Sequence, residues 1–390
     1  MKRVRDINID NKRVIIRCDF NVPMKDGKIT DDTRILAALK TIKYCLEHNC
    51  KIILLSHLGR IKEKEDLAKN DLAPVARRLS ELLRKDILFS TKTRGVELEE
   101  IVKSMQDRDI LLVQNTRYED LDGKKESKND EELGTYWASL GEVFINDAFG
   151  TIHRAHASNV GIAKHLESCA GFLIEDEINK LSILENPERP YIVILGGAKV
   201  SDKIGVIENL VKKADKILIG GGMAFTFLKA QGKNIGKSLL DEESLDFCKK
   251  ILSQYEDKIV LPKDFAVTNE YTDDEELRFK TVNDIENNEM GLDIGFQTIE
   301  YFKDILKIAK TVVWNGPLGV YEFEKYKRGT NNILKFLVEQ NCKTILGGGD
   351  IVAAATAANY KNKVYHASTG GGATLEYLEG KTLPGLEAIK

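Results

Sequence analysis

The chain has six cysteines in 390 residues, Cys18, Cys45, Cys50, Cys169, Cys248 and Cys342, and no two of them form a CxxC pair. No cysteine cluster has zinc spacing, which excludes a cysteine-based zinc site and a redox motif of that kind. Free thiols in a reducing compartment are expected instead, and with them a cytoplasmic location. The opening MKRVRDINID has no apolar core of the kind a secretory signal carries. No apolar run approaches the roughly 18 residues of a membrane span. Charge of one sign is also missing. The net charge of -3 predicts neither bulk nucleic-acid binding nor membrane binding. Two nucleotide signatures are absent as well. GKNIGKS at 232–238 would need a glycine at 231 to be a P-loop, and Gln231 stands there. GKT at 380–382 fails in the same way at Leu375. The dinucleotide pattern GxGxxG breaks at Phe225, Val352 and Leu375 after the three glycine triplets.

What is present is globular: 42% hydrophobic and 31% charged residues. Length alone suggests two or three domains. Short apolar runs alternate with longer helical patterns. Strands are predicted over 14–20, 51–57, 109–115 and 142–149 in the first half. In the second half they are predicted over 191–197, 215–222, 258–265, 311–317, 343–350 and 363–368. Helices are predicted between them, for example over 31–48, 71–84, 201–213, 242–256 and 328–340. Most strands are apolar on both faces, as in a parallel sheet covered on each side. This is an α/β chain that runs a doubly wound order twice. The seam lies near 170–190, where EDEINKLSILENPERP begins as a charged amphipathic helix and stops before Pro187 and Pro190.

Ligands of open parallel sheets bind beyond the carboxyl ends of the strands. In the first half those ends are basic and polar. RCDFNVP carries Asp19 and Asn21, with Arg34 shortly after. SHLGR carries His57 and Arg60. NTRY carries Arg117, and GTIHRAH carries His153, Arg154 and His156. Arginine forks grip phosphate or carboxylate bidentately, so four of them in one topological position suit a small, multiply charged anion. In the second half the strands end in glycine. LGGAKVSDK adds Lys199 and Lys203, which are four apart and share a helix face if that turn is helical. IGGGM, WNGPLG, GGGD and STGGG follow. Bare backbone at helix starts, with two lysines, suits a nucleotide's phosphate chain.

RCDFNVP, SHLGR, NTRY, HRAH, LGGAKVSDK, GGGMAFTF, WNGPLGVYE, GGGD and STGGGA, in this order and spacing, resemble the phosphoglycerate kinase family from about residue 14 to the C-terminus. The resemblance implies two Rossmann-like domains, each a mostly parallel sheet with helices on both faces, joined by a hinge helix. The N-terminal domain, 1–172, would bind 3-phosphoglycerate or 1,3-bisphosphoglycerate. Residues 173–188 would form the hinge, 189–375 the ADP- or ATP-binding domain, and 376–390 a tail packing back on the first domain. By similarity, Asp19, Phe20, Asn21, Arg34, His57, Leu58, Gly59, Arg60, Arg117 and Arg154 hold the glycerate substrate. Lys199, Lys203, Gly221, Gly222, Leu292, Asn315, Pro317, Glu322, Gly348, Gly349, Asp350 and Ile351 hold the nucleotide. Asp350 would be the protein ligand of Mg²⁺, the implied cofactor.

One position departs from the family pattern. The residue after the GGGD aspartate is usually threonine or serine, and here it is Ile351, whose backbone N–H is expected to take over the contact. The implied reaction is direct in-line phosphoryl transfer after hinge closure. Arg34 and Lys199 would neutralise the moving group, and the helix opened by Gly371 and Gly372 would face it. The partners implied are small molecules only, with no nucleic acid and no membrane, and the chain would act as a monomer. Two other readings use the same pattern: an NAD-linked dehydrogenase, against which the missing GxGxxG counts, and a non-catalytic nucleotide-binding protein.

Overall fold

A computed structural model describes residues 1–273 and 276–390. The chain divides into two compact units, Met1–Lys180 with Thr382–Lys390, and Leu181–Lys381.

The first unit is built on a six-stranded sheet. In spatial order the strands are Leu88–Ser90, Ile110–Val113, Lys51–Leu55, Arg13–Arg17, Val143–Asn146 and Glu167–Ala170. Every pairing is parallel. The runs RVIIR, KIILL, ILLV and VFIN are buried almost throughout, which requires cover on both faces. Helix Thr33–Glu47 supplies part of it, burying Ile35, Ala38, Thr41, Ile42 and Cys45 at helical spacing. Asn49 then takes φ +55°, and the Cys50 N–H returns to the Cys45 carbonyl at 3.0 Å, closing the helix with a left-handed residue. The short C-terminal segment packs on this unit: Leu383 and Ile389 are buried, and the Gly385 N–H donates to the Ile152 carbonyl at 2.8 Å. Helix Phe172–Leu181 leads out of the unit and is held at its start by Asp147, whose Oδ1 accepts the Leu173 N–H at 2.8 Å. A 3₁₀ turn, Ser182–Leu184, follows.

The second unit has its own parallel sheet, in the order Ile259–Val260, Lys216–Ile219, Tyr191–Leu195, Thr311–Asn315, Lys343–Leu346 and His366–Ala367. Helix Arg328–Glu339 buries Gly329, Thr330, Ile333, Leu334 and Leu337 along one stripe. Both sheets are flanked by helices, the doubly wound α/β class read from the sequence.

Three details differ from the sequence reading. The single strand expected over 258–265 is two. Ile259–Val260 joins the parallel sheet, Pro262 interrupts because it has no N–H to donate, and Asp264–Thr268 starts a separate antiparallel sheet with Arg278–Thr281 and Met290–Ile294. The edge strands Leu88–Ser90 and Glu167–Ala170 were not anticipated; they are short and carry too few residues to show a period. The helix expected from 201 begins as a 3₁₀ turn, Ser201–Lys203, and is regular only from Ile204. Lys199 and Lys203 therefore do not share an α-helical turn. No helix among the described residues is long and apolar enough to cross a membrane.

Candidate functional site

In the first unit, four neighbouring strands end on the same edge of the sheet, and the residues following them meet there. Asp19 follows Arg13–Arg17 and accepts Arg34 Nη1 on Oδ2 at 2.7 Å, while its Oδ1 accepts the Asn21 N–H at 3.2 Å. Asn21 Oδ1 takes the Gly59 N–H at 2.8 Å, which ties the first strand end to the second. Gly59 sits at φ +59°, and a Cβ there would fall 2.0 Å from Asn70 Oδ1, so any other residue would strain the backbone and displace the Asn70 side chain. Asn115 ties in the third strand end: its Oδ1 accepts Leu58 N–H at 3.1 Å and Arg117 N–H at 3.0 Å. Arg117 Nη1 rests on Asp120 at 3.1 Å and Ser127 Oγ at 2.8 Å, and its buried Nε has no hydrogen-bond partner. Arg154 is exposed and donates from Nε to His153 Nε2 at 3.1 Å. Arg60 is exposed. Phe20 and Leu58 are core side chains, so only their backbone can face a ligand.

The three histidines of this cluster are neutral near pH 7. Burial is the first cause for each. It takes His153 down to about 4, with Arg154 adding to the effect, and His156 to about 3, with Arg17 and Arg117 adding. His57 is held well below its ordinary value by burial and then by Arg17 and Arg117. The positive charge of the cluster is therefore carried by arginine, and the imidazoles serve as neutral hydrogen-bonding groups.

Arg17 was not singled out from the sequence, yet its guanidinium is completely buried in the middle of this cluster, with Nη2 3.4 Å from His57 Nδ1. The signal was available: a charged last residue on a strand that is otherwise buried on both faces.

In the second unit, a cavity of about 590 Å³ brings together Gly222, Leu292, Pro317, Glu322 and Asp350 from four separate segments. Its walls also include Gly197, Lys237, Leu239, Tyr271, Met290 and Val320, which the sequence reading missed. Tyr271 and Met290 belong to or adjoin the antiparallel sheet, so missing that sheet hid them. Glycine allows the loops around the cavity to touch. A Cβ on Gly196 would lie 2.0 Å from the Pro317 carbonyl oxygen. The Gly197 N–H donates to Pro317 O at 2.9 Å and the Gly221 N–H to Leu318 O at 3.0 Å. Those two N–H groups are thus already used, and the glycines there serve close backbone packing.

The triplet 347–349 is different. Gly348 has φ +109° and packs against Asn315, whose amide donates to the Gly347 carbonyl. Gly349 has open space where a Cβ would be, at the start of helix Gly349–Ala357. The first N–H groups of a helix have no partner within it. Asp350 is exposed on the cavity wall, and Ile351 is buried, so its side chain faces the core. Lys203 is partly buried beside Gly197. Burial lowers its pKa, and Asp202 and Asp350 pull it back up. Lys199 is exposed. Gly371, at φ +52°, and Gly372 open a helix of their own, Gly372–Leu378, and are not among the cavity's lining residues.

Among the described residues no group of three or more His, Cys, Asp or Glu could hold a metal by itself. The exposed carboxylate of Asp350, beside Lys203, fits Mg²⁺ that takes its other ligands from phosphate oxygens and water.

The model of the family described as phosphoglycerate kinase matches residues 4–381. The chain is 57% identical over 390 residues to phosphoglycerate kinase of Macrococcus caseolyticus, covering 100% of this chain and 98% of that protein. It is 56% identical over 393 residues to phosphoglycerate kinase of Fusobacterium nucleatum, covering 100% and 99%. The solved phosphoglycerate kinase of Coxiella burnetii superposes with a TM-score of 0.89 at 40% identity, over 99% of this chain and 98% of that one. That of Pyrococcus horikoshii does so with 0.88 at 32%, over 100% and 98%. The dehydrogenase reading finds no support in these likenesses. The chain belongs to the phosphoglycerate kinase family and is a kinase that moves a phosphoryl group to and from a carboxyl group.

Proposed function

We propose that the first unit binds 3-phosphoglycerate or 1,3-bisphosphoglycerate through Asp19, Asn21, Arg34, His57, Gly59, Arg60, Arg117 and Arg154, joined by Arg17. The second unit binds ADP or ATP in the glycine-lined cavity, with Lys199 and Lys203 on the phosphates, Glu322 toward the ribose and Leu292 against the base. Asp350 and the nucleotide phosphates hold Mg²⁺, which supplies charge neutralisation when bound. Ile351 contributes its backbone N–H. The single observation that carries this reading is the convergence of Gly222, Leu292, Pro317, Glu322 and Asp350 on one cavity. Its apolar wall suits a base, and its Asp350 end lies beside Lys203.

The chemistry follows from charge and position. A phosphoryl group in flight spreads negative charge over three equatorial oxygens, so arginine and lysine lower its energy without a covalent intermediate. Arg34 is suited to this because its Asp19 contact fixes its reach while a third of its side chain stays exposed. In the ATP-forming direction a phosphate oxygen of ADP attacks and needs no strong base. Direct transfer requires hinge closure, for which the helix and turn over 173–188 serve. The enzyme works as a monomer, in the cytoplasm, on small molecules. Purified protein given ATP, Mg²⁺ and 3-phosphoglycerate is expected to yield ADP and an acyl phosphate; turnover no faster than a protein-free control would sink the reading.

A further inference from the structure

Behind Arg17 runs a buried polar chain, Ser158 and Glu126, that the substrate assignment does not use. Glu126 comes from the loop before helix Glu131–Ser139 and is completely buried. Its Oε2 accepts the Ser158 backbone N–H at 2.9 Å, and its Oε1 accepts the Ser158 hydroxyl at 2.5 Å. Ser158 Oγ in turn accepts Arg17 Nε–H at 2.8 Å, and Arg17 Nη1 donates to the Cys18 carbonyl. Glu126 Oε1 stands 3.9 Å from Arg17 Nη2 and 3.7 Å from His156 Nδ1.

A hydroxyl has one proton. Ser158 gives it to the carboxylate, so its lone pairs must face Arg17. Glu126 thereby sets the direction of the whole chain. With Nε and Nη1 both committed, the edge of Arg17 left toward the cluster is Nη2, which faces His57. Burial lowers Arg17 and raises Glu126 relative to their ordinary values, and each charge opposes the shift of the other. Removing either partner would leave a buried charge uncompensated.

The geometry points to Glu126 as a positioning residue that, acting through Ser158, holds Arg17 with its cationic edge behind His57 in the phosphoglycerate-binding cluster. This rests on the reading of the first unit as the phosphoglycerate site. A purely architectural clamp is the rival role, since the Glu126 carbonyl also accepts the Ala157 N–H at 3.0 Å.

Calorimetric titration of the full chain separates the two. 3-Phosphoglycerate and MgADP are titrated separately into the wild type, Arg34→Ala, Glu126→Gln, Ser158→Ala and the Glu126→Gln/Ser158→Ala double variant. A glutamine must turn either its NH₂ or its lone oxygen to the wrong partner. Both single variants are expected to weaken 3-phosphoglycerate by about tenfold, the lower end for a lost hydrogen bond to a charged group. MgADP affinity is expected to stay within about twofold, and the double variant to be no weaker than the worse single one, because both cut one chain. If Arg34→Ala loses 3-phosphoglycerate while Glu126→Gln and Ser158→Ala bind it normally, the inference is overturned and the site assignment survives. If Arg34→Ala also binds normally, both fall. Equal weakening of the two ligands would make the chain architectural and overturn the inference. Should Glu126→Gln fail to fold, Ser158→Ala decides alone, since it keeps the carboxylate and its backbone hydrogen bond.

Discussion

Asp350 and the three histidines of the first unit make their own predictions. Replacing Asp350 with alanine removes the carboxylate at the Lys203 end of the cavity, so MgADP should weaken by about tenfold or more while metal-free ADP changes little. Equal weakening of the two forms, measured by titration with and without a chelator, would show that Asp350 holds no metal. The histidines act on stability. Their native pKa values lie below the unfolded value near 6.5, at about 4 for His153 and about 3 for His156. Below pH 6.5 the unfolded chain takes up protons that the native state refuses, so stability falls as pH drops from 6.5 toward 4. Two buried carboxyls act in the opposite sense. Burial raises Asp147 to about 7 and Asp293 to about 8, so they bind protons in the native state first and favour it as pH falls. A difference measurement isolates the imidazole: the thermal midpoint of His156→Gln relative to the wild type should improve steadily between pH 6.5 and 4. A constant difference across that window would contradict the depressed value.

The glycine-rich helix starts are the elements that distinguish packing from binding. Gly348 and Gly349 are neighbours with different reasons to be glycine. At Gly348 the positive φ and an Asn315 contact of 2.6 Å make alanine costly on structural grounds alone, by about 1–3 kcal/mol. At Gly349 nothing stands in the way of a Cβ, and φ is ordinary. Gly349→Ala should therefore keep the unfolding free energy within about 0.5 kcal/mol of wild type yet weaken ADP, if phosphate lies against that helix start. Unchanged ADP affinity would remove the glycine's proposed role. The sheets were legible because the runs VII, ILLV and VFI are apolar on both faces, as strands of a covered parallel sheet are. The arginines were legible because strand ends are fixed by topology. The antiparallel sheet was not, because its outer strand Arg278–Thr281 is exposed and charged and carries no apolar period. With it went Tyr271 and Met290 on the cavity wall. Glu126 and Ser158 were illegible for another reason: their meaning is a pairing 32 residues apart, which no local pattern records.

Across the molecule the most consequential connection is the one made by the last residues described. Leu383 and Ile389 are buried in the first unit, and Gly385 is bonded to Ile152, next to His153 and Arg154. Deleting 382–390 removes two buried apolar side chains, each worth about 1.5–3 kcal/mol, uncovers the surface they pack on and frees the Ile152 carbonyl. The truncated protein should unfold earlier and bind 3-phosphoglycerate more weakly; an unaltered thermal midpoint would show that the segment is not held. The same connection bears on synthesis. The first unit begins to emerge from the ribosome first but waits for residues that follow the whole of 181–381. At ordinary translation rates that is a delay of roughly 10–40 s. During that interval the surface around Ile152 lacks its cover, while the second unit, Leu181–Lys381, already has every residue it needs. The order of maturation is thus expected to reverse the order of synthesis: the unit made second can be finished first, and the segment carrying His153 and Arg154 settles last.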